Sequence, residues 1–362
     1  MTPPVYRARE ILLIALGTAL FHCTLLAFLA LVSRYGADNF RSGEAFWTNA
    51  FVHWDAHHYL QIAREGYRDD YLLVFFPLFP LLVRTIAACG ANLLIAALLL
   101  NLVAHTAGAV NLYRLVRLDH SSRTARWTVL FFLLFPASAF FAVPYSEAIA
   151  FYLLISSTYH FRRRRYSLAL LLGILAGLSR ATGWLLAPLL IAETLRTPSH
   201  DRPRAFLAAA APMVGVLFYP LMNFWFSGDP FLFLSAQASR FHRAIAFPTT
   251  ALVSSWKALQ TGWPEWLTVG ATNLAGAALA WITAGLACRT ERRSHAGYAL
   301  LSAAFITCQS RWQSVLRYDA MIFPLYIVLA KRGKPVRWVA VVISLAALLG
   351  FSAQYAMGRW AM

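Results

Sequence analysis

Charge is scarce in this sequence: only 13% of its 362 residues are Asp, Glu, Lys or Arg, and only three are lysine. A soluble domain is about a quarter charged and about half apolar. Here 59% of the residues are hydrophobic and the mean hydropathy is +0.57, which excludes an ordinary soluble fold. The four cysteines, Cys23, Cys89, Cys288 and Cys308, lie far apart in or beside apolar runs. With no CxxC and no metal-ligand spacing they read as small core residues rather than a disulfide framework or a zinc site. Repeats and low-complexity segments are also lacking, so solenoids and disordered linkers drop out.

What the chain has instead is long apolar runs. Ile11–Ser33, "ILLIALGTALFHCTLLAFLALVS", holds no formal charge over more than the ~20 helical residues needed to cross a hydrocarbon core. Its length, after a short "VYRARE", favours a retained first span over a cleaved signal peptide. Lipid admits only helices and closed barrels, and uniform apolar runs exclude the barrel. The expected fold is a polytopic α-helical membrane protein, all-α, in one domain over 1–362.

The formal net charge of +17 suggests nucleic acid until its distribution is considered. The basic residues sit in short blocks between apolar runs: "RLVRLDHSSRTAR" (114–126), "RRRR" (162–165), "RTPSHDRPR" (196–204), "RTERR" (289–293) and "KRGKPVR" (331–337). Such blocks mark the cytoplasmic ends of spans, so no nucleic-acid partner is expected. With these blocks inside, 127–161 forms a hairpin whose outer tip is "PASAFFAVPYSE". Residues 167–195 form a second one around "SRATG", each arm about half a standard span. Short arms meeting at a polar tip imply broken helices lining a cavity. A third hairpin, 205–288, carries a long outer loop over 227–266; a fourth covers 295–330, and a last span follows 337. Residues 72–113 must cross an odd number of times, which a re-entrant "FFPLFPLL" (75–82) with its two prolines would allow. About eleven transmembrane helices result. The first large extracytoplasmic loop, 34–71, then shares a face with Glu147, Arg180, Gln237 and Arg317, a convergence of polar groups that reads as a site.

Within that first loop lies "WDAHHYLQIAREGY" (54–67). Ala56, Tyr59, Leu60, Ala63 and Tyr67 recur at helical spacing, with His57, His58, Gln61, Arg64 and Glu65 elsewhere around the helix. The pattern predicts a short amphipathic helix in the membrane interface, ended by Gly66. Asp55 suits the N-cap of that helix, a catalytic carboxylate, or both. His53, Asp55, His57 and His58 could be read as metal ligands, but no HExxH or outlying ligand pair completes a set, so no metal and no cofactor are expected.

These residues carry a resemblance. "WDAHHYLQIAREGYRDDYLLVFFPLFPLL" resembles the first-loop signature of the PIG-V mannosyltransferase family, W-D-A-x-H-F-L-x-I-A-x-x-G-Y followed by an acidic residue and A-F-F-P. Trp54, Asp55, Ala56, His58, Leu60, Ile62, Ala63, Gly66, Tyr67, Phe75, Phe76 and Pro77 match without a gap. "FPASAFFAVPYSEAIAF" is similar to N-P-A-x-x-F-x-x-x-Y-S-E through Pro136, Ala137, Tyr145, Ser146 and Glu147. "LAGLSRATGWLL" is similar to an R-S-N-G segment through Arg180 and Gly183. "GDPFLFLSAQ" and "RYDAMIFPLYIVLA" resemble later blocks. Phe135 and Thr182 stand where the family has Asn, and Asp70 where it has Glu.

The resemblance implies a GT-C glycosyltransferase: a multispanning enzyme that takes sugar from a lipid phosphate, with a catalytic carboxylate in the first extracytoplasmic loop. Asp55 would be the general base, with His58 and Asp70 assisting. Arg180 and Arg317 would meet the donor phosphate, which guanidinium groups fit in bidentate geometry, although both positions also suit interfacial anchors. Trp54, His57, Tyr67, Tyr145, Glu147 and Gln237 would contact sugar or acceptor; Glu147 also suits a helix start. The implied reaction moves mannose, with inversion, from polyprenyl-phosphate mannose to a lipid or glycan acceptor. The Arg-heavy composition points to a bacterial plasma membrane, with the site on its extracytoplasmic side. A glycolipid transporter and a metal-dependent membrane hydrolase are the competing functions.

Overall fold

The computed structural model describes residues 8–36, 44–262 and 266–359. Parts of both predicted loops, 37–43 of the first and 263–265 of the second, lie outside the described residues. The described chain is helical apart from one isolated antiparallel bridge, Ile245 with Gln309. In order the helices are α1 Ala8–Gly36, α2 Glu44–Phe51, α3 Asp55–Glu65, α4 Leu78–Ala87, α5 Leu93–Val116, α6 Ser122–Leu133, α7 Glu147–Arg162, α8 Tyr166–Ser179 and α9 Leu186–Thr194. They continue as α10 Arg202–Ser227, α11 Leu232–Phe241, α12 Pro248–Ala258, α13 Thr272–Thr290, α14 Arg293–Thr307, α15 Val315–Asp319, α16 Phe323–Ala330 and α17 Lys334–Ala356.

Among the described residues, five helices are long and apolar enough to cross a membrane: Ala8–Tyr35, Leu93–Val116, Ser199–Ser227, Val269–Thr290 and Lys334–Ala356. The difference from the expected count of about eleven lies in the shorter helices, which are interrupted around polar tips. Leu12, Leu13, Leu16 and Leu20 of α1, Leu217 and Leu221 of α10, and Val339, Val342 and Ile343 of α17 are all more than half exposed. Apolar surface on this scale is covered by lipid rather than water, and the chain is an integral membrane protein. The 72–113 segment resolves as the ten-residue α4 followed by the full-length α5. Pro77 precedes α4 and Pro80 lies in its first turn, where the missing N–H costs nothing.

The chain divides into two compact units: Met1–Gly66, Pro77–Arg163 and Leu329–Ala361 make one, Tyr67–Phe76 and Arg164–Val328 the other. In the first unit α5 is the central post. Its start is capped by Asn92, whose side chain accepts from Leu94 N at 2.8 Å. Several polar residues along its buried face find partners there, as a membrane interior favours. Asn101 donates to Val143 O and, at 3.1 Å, to Tyr145 O. His22 and His105 meet through their Nδ1 atoms at 3.2 Å, Asn111 donates to Ser156 Oγ at 2.7 Å, and Tyr113 to Glu10 at 2.7 Å. The predicted outer tip between α6 and α7 is buried throughout 139–150, with Asn101 satisfying its irregular carbonyls.

In the second unit α8 and α9 are the two predicted half-length arms. Between them Arg180 is extended (φ −160°, ψ 158°) and 181–185 make one 3₁₀ turn. Glycines let the backbones close here: a Cβ on Gly177 would lie 2.2 Å from Pro212 O of α10, and one on Gly183 2.3 Å from Ala176 O. The far end of α9 is tied by Glu193, which takes a bidentate bond from Arg292 at 3.1 and 3.0 Å and another from Ser294. The break that carries Arg180 is therefore held on both sides.

Gly177→Ala should accordingly cost about 1–3 kcal/mol through overpacking, seen as a lower melting temperature in detergent. Gly17→Ala, whose Cβ would meet nothing within 4 Å, should melt at or above the parent temperature. Equal melting of the two variants would contradict the close α8–α10 contact.

Candidate active site

Between α2 and α3 the chain turns sharply, and the turn is strained. Trp54 has φ +47° and ψ −118°, a left-handed φ that a bulky aromatic adopts only when its surroundings force it, at a cost of about 1–3 kcal/mol. The forcing groups are visible. Tyr355 of α17 donates to Phe51 O at 2.9 Å, and Tyr145 donates to His53 O at 3.1 Å. The Tyr355 ring meets His53 edge-on at 5.1 Å and Trp54 at 5.4 Å. Tyr59 pairs with Ser146 Oγ at 2.9 Å and stacks edge-on against Phe79 at 5.1 Å, fixing α3 from behind.

Asp55 is the first residue of α3, with Trp54 at the cap position and no side-chain cap bond. The capping alternative would put Asp55 at the position that Trp54 holds, one residue before the start of the helix. Of the predicted face Ala56, Tyr59 and Ala63 are buried, together with Ile62; Leu60 is half-buried, and Tyr67 lies beyond the helix, which Gly66 ends at φ +80°. His57 is exposed, while Asp55 and His58 are half-buried. Burial holds the His58 imidazole below its ordinary value, opposed by the Asp55 carboxylate and reinforced by His57. His53 is pushed down to about 4, mainly by burial, against a hydrogen bond with the Asn49 backbone and with a smaller push from His57. Among the described residues no three of His, Cys, Asp and Glu gather in a way that could hold a metal ion.

A groove of about 1300 Å³ runs beside α3. His57, Gln61 and Arg64 line it on the α3 side, with Arg34 at the end of α1 and an apolar wall that includes Leu26, Leu31 and Leu98. Of the sequence-predicted residues, the first unit therefore brings together Trp54, Asp55, His57 and His58. Tyr145 and Glu147 are there too, but fully buried at 1% and 0% exposure.

The second unit gathers a different set. Arg180, 7% exposed, places its guanidinium 5.5 Å from the Tyr318 ring centre. Arg243 lies 5.2 Å from the same ring and donates through Nη1 to the Tyr318 hydroxyl at 2.8 Å and through Nη2 to Gln313 O at 2.9 Å. Burial raises the Tyr318 phenol, but Arg243, Arg180 and Arg317 together outweigh it and hold the group below its ordinary value. Arg180 and Arg317 thus both act on one phenol, together with Arg243. Arg243 is the member that the sequence reading missed. Its signal was available: an Arg in a loop assigned to the outer face runs against the usual bias of cations toward the cytoplasm.

Arg243 reaches Tyr318 through a clasp between two loops. Ile245 bridges Gln309, Ser310 N donates to Ala244 O at 2.8 Å, and Ala246 N to Cys308 O at 3.3 Å. Asn273 braces the second loop, donating to Trp312 O at 3.0 Å and accepting from Val315 N at 3.2 Å. Gln237 accepts from Arg243 N through its backbone carbonyl at 3.0 Å. Tyr67 donates to Phe75 O at 2.8 Å and packs on a cluster of Leu73, Phe76, Tyr219 and Met222. Asp70 is exposed at the start of a short 3₁₀ turn.

The depressed imidazoles give the turn a pH dependence. Unfolded chains protonate His53 and His58 near 6.5 while the folded ones resist, so stability is lost as pH falls from about 6.5 toward 4. The melting temperature in detergent should drop between neutral and mildly acid buffer, and His53→Gln should flatten that slope. An unchanged slope in the variant would contradict the buried, neutral His53.

Residues 12–198, just over half of the chain, match the family described as Mannosyltransferase (PIG-V). The mouse GPI alpha-1,6-mannosyltransferase 2 is 36% identical over 136 residues, covering 34% of this chain and 28% of the relative. The human protein of that name is 34% identical over 142 residues, covering 36% and 29%. GPI mannosyltransferase 2 of Drosophila pseudoobscura pseudoobscura is 35% identical over 106 residues, covering 26% and 24%. The aligned stretch is thus under a third of each relative's own length. Among solved structures, the apo oligosaccharyltransferase of Archaeoglobus fulgidus aligns at TM-score 0.48 and 13% identity, over 94% of this chain and 56% of that one. The chain belongs to the PIG-V mannosyltransferase family.

Proposed function

We propose that this protein transfers mannose, with inversion at C1, from polyprenyl-phosphate mannose to a membrane-associated acceptor, and that Asp55 is the general base. The observation that carries the reading is the Asp55 carboxylate itself, at the head of α3 behind a strained turn that two tyrosine hydroxyls hold in place. Strain of this kind persists where it fixes a reacting group.

In this reaction the acceptor hydroxyl attacks the mannose C1 and gives its proton to Asp55. The bond from C1 to the phosphate oxygen breaks, and its electron pair leaves with the polyprenyl phosphate. The neutral His58 beside Asp55 orients the carboxylate without competing for the proton. Trp54 and His57, with the groove alongside, contact sugar and acceptor; Tyr145, buried, supports the turn through the His53 carbonyl, and Glu147, also buried, opens α7 two residues later. Arg180 and Arg317 take the charge that grows on the leaving phosphate, where permanent, planar cations act best. In the same chemistry Asp70 is assigned an assisting catalytic role and Gln237 a contact with sugar or acceptor. We assign the turn to the extracytoplasmic side of a bacterial plasma membrane, a reading that the positions of the basic blocks and the Arg-heavy composition support.

A positioned general base contributes about 10²–10⁴ in rate. Asp55→Asn should lose that much turnover of polyprenyl-phosphate mannose while its melting temperature and donor affinity stay near those of the parent. Parent-like turnover in the variant would remove Asp55 from the chemistry.

A further inference from the structure

Three guanidinium groups that repel one another are held around one phenol in the second unit. The Tyr318 ring faces Arg180 at 5.5 Å and Arg243 at 5.2 Å, and its oxygen accepts from Arg243 Nη1 at 2.8 Å. An aromatic face attracts a cation through its quadrupole, worth about 0.5–2 kcal/mol per pair, and a ring cannot neutralise the cation as a carboxylate would. Tyrosine therefore suits a post that gathers cations while leaving their charge available to a ligand. Arg243 adds a second pointer: its Nε is buried with no hydrogen-bond partner among the described residues, although its two terminal nitrogens are fixed by Tyr318 and Gln313. A buried guanidinium N–H left without an acceptor is costly, and an anionic oxygen would satisfy it.

The framework around the post is built to hold this arrangement. Arg180 sits at the α8–α9 break, where Gly177 and Gly183 allow backbone contact. Arg243 arrives on the strand-like clasp of 244–246 against 308–310. Tyr318 follows Ser314, whose left-handed φ of +56° begins α15 under the brace of Asn273. Three distant stretches of chain thus deliver their groups to one ring.

We propose that Tyr318 is the positioning residue of this cluster, orienting Arg180 and Arg243 toward a lipid phosphate, with Arg243 as a third phosphate-binding cation beside Arg180 and Arg317. The proposal rests on the reading of Arg180 and Arg317 as phosphate ligands and extends it to two further residues, Tyr318 beside Arg317 and Arg243 from a separate loop. Tyr318 does not touch the reacting atoms; it acts through the cations it holds. Loss of its hydroxyl frees Arg243, and loss of its ring frees both.

The test measures binding of farnesyl monophosphate, a short polyprenyl phosphate, to the purified full-length protein in detergent. Tyr318→Phe keeps the ring and should weaken affinity about two- to tenfold, the range of one lost hydrogen bond. Tyr318→Leu, which also removes the ring contacts, should weaken it further, by about ten- to a hundredfold. Arg180→Ala separates the two levels of the argument. If it binds the probe like the parent, the phosphate reading itself fails. If it binds weakly while Tyr318→Leu and Arg243→Lys bind like the parent, the phosphate reading stands and the positioning role is overturned. A spectroscopic readout keeps the test decisive even where Tyr318→Leu misfolds. The tyrosinate difference absorbance between parent and Tyr318→Phe isolates the Tyr318 phenol, and saturating farnesyl monophosphate should move its titration upward by offsetting the nearby cations. A merely structural tyrosine would show no probe-dependent movement, and that result would overturn the proposal.

Discussion

Lipid cannot hydrogen-bond a peptide group, and that constraint governs where this chain can leave the helical path. Each departure seen here is supplied with protein partners. Asn101, fully buried in α5, satisfies the carbonyls of Val143 and Tyr145 at the α6–α7 tip. That tip in turn positions Tyr145, whose hydroxyl holds the His53 carbonyl. The strained turn at Trp54 thus depends, through two hydrogen bonds, on an amide within a membrane span. In the second unit the α8–α9 break is supported by glycine contacts rather than an amide, and Glu193 with Arg292 anchors its far end.

Electrostatics follow from the same shortage of water. With 32 basic and 15 acidic side chains, carboxylates are too few to pair every cation. Asp119 takes Arg162 in a bidentate contact at 2.6 and 2.8 Å, and Glu193 takes Arg292. Aromatic rings serve elsewhere: Arg337 lies 4.7 Å from the Trp127 ring centre, Arg240 5.8 Å from Tyr71, and two cations share Tyr318. Ring contacts hold a guanidinium in place without cancelling its charge. A cluster intended for an anion gains from that difference, whereas a structural tie gains from a carboxylate.

Much of this was legible in the sequence because it is local. The spacing of Ala56, Tyr59 and Ala63 with Gly66 behind them gives α3 and its end, and two half-length apolar arms around "SRATG" give the break at Arg180. The motif around Asp55 gave the family. The rest is set by contacts between residues far apart in the chain. The Trp54 torsion is imposed by Tyr145 and Tyr355, and neither is near it in sequence. Arg243 meets Tyr318 only because a clasp joins their two loops. The number of spans was harder to read, since apolar composition does not reveal that α6 and α7 stop short at the buried tip between them.

The central claim is that a carboxylate on a strained, tyrosine-braced turn drives an inverting sugar transfer from a lipid phosphate. The most direct measurement incubates the purified parent protein with polyprenyl-phosphate mannose and extracted membrane lipids, then determines the anomeric configuration of the mannosylated product by NMR. The account predicts a product whose C1 configuration is opposite to the donor's, formed equally well with a metal chelator present. A product that retains the donor configuration, or no transfer from any polyprenyl-phosphate sugar, would contradict it.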